Sequence, residues 1–158
     1  MLWEQWTDNS RFLPADGTAE ESAGEMAVKL IRSMAEARPA DIIPVDPGDV
    51  LKLLRRPGTM RFFHGDAAWE DGNERSAAVD RLCAELERTA AAGQAEYGSS
   101  LRILLQIEAS EDIGLEEVER CVRALDPAGS GVLAVHVRVG CDNAGRVRGL
   151  MGAWDGAR

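Results

Sequence analysis

Residues 101–107 read Leu-Arg-Ile-Leu-Leu-Gln-Ile, and this stretch decides the fold. Successive side chains of a strand point to opposite faces of a sheet. One face of this strand is entirely apolar and consists of Leu101, Ile103, Leu105 and Ile107. Leu104 adds an apolar residue to the other face, beside Arg102 and Gln106. Because both faces carry apolar side chains, the pattern predicts a central strand that is buried on both sides.

The segments on either side of this strand alternate between helical and extended patterns. Further strands are predicted over about 59–65, 132–139 and 146–154, with a short extended stretch over 42–45. Helices are predicted over about 18–38, 46–57, 73–92 and 115–125. The order is helix, helix, then β-α-β-α-β-β. It predicts an α/β (α+β) fold with a mixed four-stranded sheet, preceded by helices and covered by helices on one face.

The chain length favours one domain over two. A 158-residue chain can bury enough surface to fold without disulfides or metals. Residues 1–18 carry no regular periodicity and are interpreted as an irregular N-terminal arm. Residues 19–158 are predicted to form a single α/β domain.

The charge and the cysteine count narrow the possible partners and the location. A net charge of −9 argues against nucleic acid and anionic membranes, since phosphate contacts need a surplus of Lys and Arg. Three sparse cysteines without a CxxC pair indicate free thiols in a reducing compartment. We find neither a signal peptide nor an apolar run near the ~20 residues of a membrane span. The expected location is therefore the cytoplasm.

The motifs that would indicate an enzyme are missing from the sequence. It contains no Walker A and no GxGxxG pattern, and the glycine-rich turn at 129–131 precedes a strand instead of a helix. The two histidines, His64 and His136, both lie in predicted strands, and His136 is interpreted as a half-exposed strand residue. Because no His/Cys cluster forms, we expect no metal, no cofactor and no catalytic residues of its own.

Two acidic segments fit helix capping. The acidic loop over 66–74 lacks the spacing of an EF-hand, and we interpret it as a solvated loop that caps a helix N-terminus. In Asp-Pro-Gly-Asp at 46–49, Asp46 fits the N-cap, Pro47 the first helical position and Asp49 the third. The same two carboxylates would project together from the start of a helix and could orient a water or a cation.

Four segments, in this order, resemble the C-terminal half of FtsZ, the bacterial tubulin-like cell-division GTPase. Residues 40–50, Ala-Asp-Ile-Ile-Pro-Val-Asp-Pro-Gly-Asp-Val, are similar to the loop after the family's central helix, which carries Asn-x-Asp-x-x-Asp. Asp46 and Asp49 match the two aspartates, and Pro44 stands where Asn is expected. Residues 62–77 are similar in position to the family's Met-Gly-x-Gly…Gly-Glu-x-Arg-Ala stretch, although many residues differ.

The other two segments follow further along the chain. Residues 104–118 resemble the family's strand followed by Asp-Leu-Thr-Leu-x-Glu-Val, although Glu-Ala-Ser at 108–110 replaces Thr-Gly-Gly. Residues 146–154 stand where the family closes its sheet. The resemblance covers roughly residues 24 to 154. It implies the fold of the family's C-terminal domain without its GTP-binding half and phosphate loop.

In FtsZ filaments, the loop aspartates of one subunit complete the GTPase site of the next. The resemblance therefore implies a non-catalytic interaction domain whose partner is an FtsZ-like protein or a second copy of this chain. The candidate partner-binding residues are Asp46, Asp49, Lys52, Arg55 and Arg56. The basic residues, with Arg61, could meet a partner's phosphates or acidic rim, or could simply complement a helix C-terminus.

Two other functions stay open from the sequence. The chain could be a stand-alone structural domain that forms homo-oligomers without any link to division. It could also be an enzyme or small-molecule binder that uses the sheet surface, with His136, Arg138 and the acidic loop. A fold hosts unrelated functions, so the resemblance does not choose among these possibilities.

Overall fold

The computed structural model describes residues 12–14, 20–36, 38–46, 48, 50, 60–111, 114–129, 131–140 and 144–153. The strands are β1 (Phe12–Pro14), β2 (Asp41–Ile43), β3 (Met60–Ala68), β4 (Leu101–Ala109), β5 (Val132–Val139) and β6 (Ala144–Ala153). The helices are α1 (Glu20–Ala35), α2 (Arg75–Tyr97) and α3 (Leu115–Leu125). Two short 3₁₀ turns, Gly72–Glu74 and Gly98–Ser100, flank α2.

The strands form one mixed sheet in the order β1-β3-β6-β4-β5-β2. Its four long strands, β3 to β6, are the four predicted from the sequence, and the predicted α/β class is confirmed. The two edge strands were not counted among those four, because three residues are too few to show a period-2 pattern. β1 lies within the segment interpreted as an irregular arm and pairs in parallel with β3. β2 pairs antiparallel with β5.

The central position of β4 is confirmed. β4 runs antiparallel to β6 on one side and parallel to β5 on the other. Leu104 and Leu105 point to opposite faces, and both are fully buried. A strand that is apolar on both faces needs cover on both faces, and the helices supply it.

Helices cover both faces of the sheet instead of one. α2 and α3 pack on one face, over a core that includes Phe63, Leu82, Leu86, Ile103, Leu105 and Leu125. α1 packs on the other face, over a smaller core that includes Leu30, Ile31, Met34, Phe62, Leu104 and Leu150. The sequence placed α1 before the sheet without assigning it a face. Leu104 and its strand neighbours supply the apolar surface that α1 buries.

α2 is longer than predicted, and the reason is one glycine. Gly93 was taken as the end of the helix, but α2 continues to Tyr97. A Cβ at Gly93 would lie 2.8 Å from Met151 Sδ and 3.3 Å from a Leu101 methyl carbon. The glycine therefore marks a close approach of the helix to the sheet and not a helix stop. No helix among the described residues is long and apolar enough to cross a membrane.

Candidate functional site

Asp46 lies where the sequence placed it, at the start of a helical turn. Its side chain is exposed, and Oδ1 accepts a hydrogen bond of 2.8 Å from the backbone N–H of Gly48. Its carbonyl oxygen accepts a longer bond of 3.3 Å from the N–H of Val50. These two bonds are the geometry of a helix cap. The capping role is therefore observed, and the second carboxylate oxygen points to no partner among the described residues.

The other candidate partner-binding residues, Asp49, Lys52, Arg55 and Arg56, lie outside the described residues. Arg61, which was considered with them, is described. Its Nε lies 2.7 Å from Glu96 Oε2 near the end of α2. Arg61 therefore belongs to an ion pair between β3 and α2, on the face of the sheet away from α1.

The segment before Asp46 exposes apolar side chains. Ile42 and Ile43 in β2 are 52% and 37% exposed, and Pro44 is also exposed. In the part of the chain that the structure describes, three large apolar residues are exposed, and two of them are this pair. Exposed apolar side chains on an edge strand are the type of feature that protein partners cover.

Arg138 anchors this segment to the sheet. Its Nε donates to Asp41 Oδ1 at 2.6 Å, and its Nη1 donates to Ser33 Oγ at 2.8 Å. Its Nη2 donates to the carbonyl oxygens of Ser33 and Glu36, at 2.8 and 2.9 Å. The last carbonyl groups of a helix lack intrahelical partners, and a cation there also complements the helix dipole. One buried guanidinium thus caps α1 and holds β2.

His136 was predicted to be half exposed, and this prediction was wrong. The residue is fully buried, because the end of α1 and strand β2 cover the part of the sheet on which it lies. Its Nδ1 lies 3.0 Å from Gln106 Nε2. Its Nε2 lies 3.2 Å from Asp41 Oδ1, in a contact that is close but poorly aligned for a hydrogen bond.

The polar contacts continue from His136 to the protein surface. Gln106 Nε2 also lies 3.0 Å from Ser33 Oγ on α1. Gln106 Oε1 accepts from Arg148 Nη2 at 2.6 Å. Arg148 Nη2 lies at the same distance from Glu108 Oε1. We call the connected residues Ser33, Asp41, Gln106, Glu108, His136, Arg138 and Arg148 the buried polar network.

The network shifts two pKa values. Burial raises the pKa of Asp41, but hydrogen bonds from Arg138 and from the backbone N–H of Arg38, together with the nearby His136 ring, outweigh it and lower the pKa to about 2. Burial lowers the pKa of His136, and the neighbouring Asp41 carboxylate only partly opposes that shift. At neutral pH the network therefore contains an ionised Asp41 and a neutral His136.

The other residues weighed from the sequence have ordinary surroundings. His64 is exposed within β3, and Asp66 belongs to the same strand and not to a loop. Asp71 accepts from the N–H of Asn73 and so caps the 3₁₀ turn before α2, as expected for the acidic segment. No group of three or more possible metal ligands occurs among the described residues.

The cysteines that can be placed are buried, free thiols, as expected. Cys83 lies on α2 and Cys121 on α3. Burial, together with the nearby Cys83 thiol, raises the pKa of Cys121 to about 12. A thiol with so high a pKa is a poor nucleophile. Cys141 lies outside the described residues.

A cleft of about 530 Å³ lies on the α2–α3 face, at the end of the sheet where β4 begins. Its lining includes Leu101, Ile103 and Leu125, together with alanines of α2 and α3. Glu87 also lines it. No residue of this cleft had been singled out in the sequence, because its lining comes from three segments that are distant along the chain.

Sequence reasoning also missed Ser33, Asp41, Gln106 and Arg148 as members of one cluster. A signal existed in two places: Gln106 and Arg138 interrupt strands that are otherwise strongly apolar. A polar residue at a buried strand position needs a partner. The identity of those partners depends on which strands become neighbours.

No protein-family model matches the sequence. No curated protein matches it either. Among solved structures, the chain is similar to an FtsZ point mutant from M. jannaschii, with 16% identity, a TM-score of 0.48, and coverage of 85% of this chain and 40% of that chain. It is similar to FtsZ in an empty dimer from M. jannaschii, with 17% identity, a TM-score of 0.45 and coverage of 84% and 38%.

A third similar structure is the helical model of the TubZ-Bt two-stranded filament, with 12% identity, a TM-score of 0.50 and coverage of 85% of this chain and 34% of that chain. The chain thus spans two fifths or less of the length of each of these proteins. At this identity the likeness shows the fold alone. The predicted FtsZ/tubulin-like fold is confirmed as that of a part of such a protein.

Proposed function

We propose that this chain is a non-catalytic interaction domain that binds a second protein subunit through residues 38–50. The subunit is either another copy of the chain or a filament-forming protein of the FtsZ/TubZ type. The observation that carries the proposal is the shared fold with part of the subunit in the TubZ-Bt two-stranded filament. Modulation of such an assembly, including one that serves bacterial cell division, is the role that we propose for it.

The geometry of the segment supports this proposal. Ile42, Ile43 and Pro44 expose an apolar surface, and Asp46 extends a carboxylate beside it. Arg138 and Asp41 hold the base of the segment through buried bonds. A surface that is anchored before binding loses less conformational entropy when a partner docks. Apolar contacts surrounded by polar groups are also typical of protein interfaces.

Self-association is the version of the proposal that needs no other protein. A homo-oligomer would place the same segment of two copies, or that segment and another surface, in contact. The role would then be structural and unrelated to division. Measuring the mass of the purified chain in solution separates this version from the one that requires a filament protein.

Small-molecule binding is a second candidate function, and the cleft beside α2 and α3 favours it. Its volume of about 530 Å³ is within the usual range for ligand pockets. The version that would use His136 and Arg138 has less support. Both side chains are buried and held by protein groups, so a ligand would reach them only if α1 moved.

The decisive experiment adds the purified chain to an FtsZ-type and a TubZ-type protein with nucleotide. Light scattering, pelleting and nucleotide turnover are then measured at stoichiometric concentrations, and the chain alone is examined by light scattering coupled to size exclusion. We expect a change in assembly or a mass above that of the monomer. A strictly monomeric chain without effect on either protein would overturn the proposal.

Two variants test the segment itself. Ile42→Asn and Asp46→Asn should weaken the interaction, since one removes exposed apolar surface and the other removes charge while keeping much of the capping capacity. Asp49→Asn tests the neighbouring candidate in the same way. Glu87→Gln is the matched control, because it also removes one exposed negative charge but lies on α2. Equal loss in the control and in these variants would contradict a role for residues 38–50.

A further inference from the structure

The orientation of the Gln106 amide follows from the chemistry of its neighbour. A guanidinium has donors only, so the amide atom that lies 2.6 Å from Arg148 Nη2 must be the oxygen. The amide nitrogen then points the other way, toward Ser33 Oγ and His136 Nδ1, each at 3.0 Å. The contact with Arg148 therefore fixes which amide atom of Gln106 is the oxygen and which is the nitrogen.

The orientation of Gln106 determines the protonation state of His136. Because the amide nitrogen donates, Nδ1 must be an unprotonated acceptor. The proton of the neutral ring is then on Nε2, which lies 3.2 Å from Asp41 Oδ1. A second proton would have to bind at Nδ1, where it would meet the N–H groups of Gln106.

The groups around His136 come from every element that packs against it. They are Ser33 on α1, the Glu36 carbonyl directly after α1, Asp41 on β2, Gln106 and Glu108 on β4, Arg138 on β5 and Arg148 on β6. Arg138 and Arg148 are cations, and Asp41 and Glu108 are anions. The two charges of each sign balance, so an additional proton would leave the network with a net positive charge.

We propose that His136 is a proton-operated latch, in which protonation at Nδ1 turns the Gln106 amide over and releases the end of α1 and residues 38–43 from the sheet. The proton comes from solvent, and the N–H bond at Nδ1 is the one covalent bond formed. The reversed amide presents its oxygen to His136 and its N–H groups to Arg148. Donor then faces donor at Arg148, and Ser33 keeps a bond to the amide only by donating its hydroxyl proton to the amide oxygen.

The latch is closed at neutral pH. Burial lowers the pKa of His136, so a proton binds more readily when the ring is released to solvent. Each unit by which that pKa is lowered multiplies the ratio of open to closed molecules by about ten at low pH. The proposal does not depend on the partner proposed above, since it concerns contacts within one chain.

The wild-type chain supplies its own control. It has two histidines, and His64 is 53% exposed, whereas His136 is buried. NMR of the imidazole nitrogens gives the tautomer and the titration midpoint of each ring. Hydrogen exchange, corrected for its intrinsic pH dependence, measures how often the end of α1 and residues 38–43 open. The reporting amides are Glu36 and Asp41, whose N–H groups donate within the released part of the chain to the carbonyls of Arg32 and Arg38, and Val139, whose N–H donates across to the carbonyl of Ala40.

The expected result has three parts. At about pH 7.5 the proton of His136 lies on Nε2. Hydrogen exchange at the three reporting amides accelerates by on the order of tenfold or more in acid. The pH midpoint of this acceleration matches the titration midpoint measured for His136 and not the one measured for His64. The Ile103 amide, which bonds to the Gly131 carbonyl at the far end of β4, keeps its rate over the same pH range.

Two variants test the coupling. Gln106→Glu offers an acceptor oxygen to both neighbours, so it should raise the titration midpoint of His136 and remove the acid-induced opening. His136→Asn keeps a polar side chain that does not titrate, so it should make the corrected exchange rate independent of pH. His64→Asn should leave the behaviour of wild type unchanged.

The proposal fails if His136 carries its proton on Nδ1 at neutral pH, or if it titrates without any change in exchange. It also fails if the opening persists in His136→Asn. These first two outcomes are read from the wild-type chain, so the test stands even where a variant does not fold.

Discussion

Arg138 connects three parts of the chain through one buried guanidinium. It binds the last carbonyl groups of α1, the Ser33 hydroxyl and the Asp41 carboxylate. A buried cation of this type stabilises only when its donors find acceptors, and here each of its three nitrogens has at least one. Removal of either partner would leave the other charge buried and unpaired.

The first prediction is that Arg138→Met lowers the free energy of unfolding by about 3–5 kcal/mol, because Asp41 loses its partner within the fold. Urea denaturation measures the change. Arg123→Met is the matched control, since Arg123 forms an exposed pair with Glu119 and should cost less than about 1 kcal/mol. Combining Arg138→Met with Asp41→Leu should recover part of the loss. Equal effects in the two single variants would contradict the role of Arg138.

The second prediction is that acid destabilises the fold in two separate windows. The pKa of His136 is lowered from 6.5, so the unfolded chain takes up this proton first and stability falls as the pH drops below 6.5. The pKa of Asp41 is lowered from 3.8 to about 2, so its contribution is complete above 3.8 and is lost as the pH falls toward 2. Melts between about pH 7.5 and about pH 2 should show both windows, and His136→Asn should abolish the upper one.

At the scale of the element, strands β3, β4 and β6 pack closely around Gly149. Leu105 of β4 lies opposite Gly149 of β6, and Gly149 also lies opposite Phe63 of β3. The Phe63 ring occupies the space above the glycine, so the strand can carry no side chain at this position. A strand glycine often marks such a close approach.

The third prediction concerns Gly149. A Cβ there would lie 2.6 Å from the Leu104 carbonyl oxygen and would overlap the Phe63 ring. Gly149→Ala should therefore cost about 2–3 kcal/mol, since backbone cannot move aside as a flexible side chain can. Gly72→Ala is the control, because no described atom lies within 4 Å of the corresponding Cβ. Thermal melts that show the same stability for both variants would contradict this packing.

The fourth prediction is that Leu105→Asp costs about 3–5 kcal/mol, because it buries a carboxylate without a partner among apolar side chains. Leu105 is fully buried on the α2–α3 face of β4. Ala68→Asp, at the exposed end of β3, should change stability by less than about 1 kcal/mol. Chemical denaturation with circular dichroism compares the two. An unchanged denaturation midpoint for Leu105→Asp would contradict the buried, central position of β4.

At the scale of the whole molecule, two apolar cores of unequal size enclose one sheet. The larger core lies under α2 and α3, and the smaller core lies under α1. The polar network lies beside the smaller core, where the apolar residues of the α1 face end. α1 is therefore attached by apolar contacts along its length and by hydrogen bonds at its C-terminal end, which is the part that a change of pH can release.

The fifth prediction is that the purified chain neither binds nor hydrolyses GTP. The reason is the lack of a phosphate-binding loop in the sequence, since backbone N–H groups at a glycine-rich turn are what hold a nucleotide's phosphates. Isothermal titration with GTP and magnesium, and a phosphate-release assay, measure the two activities. Micromolar binding would contradict the non-catalytic proposal and would favour an enzyme.

Local pattern was sufficient for most of the elements. The apolar alternation in β4 and β5 and the helical spacing of α3 predicted these elements within two residues of their observed ends. The predicted end of α2 at Gly93 was less reliable. Glycine usually ends a helix, but here it allows α2 to pack closely against the sheet. β1 and β2 are too short to carry a pattern, and they exist because β3 and β5 offer them open edges.

The sequence by itself determined the fold class, the central strand and the capping of Asp46, because periodicity and turn chemistry act over a few neighbouring residues. Only the tertiary structure decided the burial of His136 and the partners of Gln106 and Arg138. Those partners come from α1, β2 and β6, which are distant along the chain. Their contact depends on strand order and on which face α1 covers, and both result from the packing of the whole sheet.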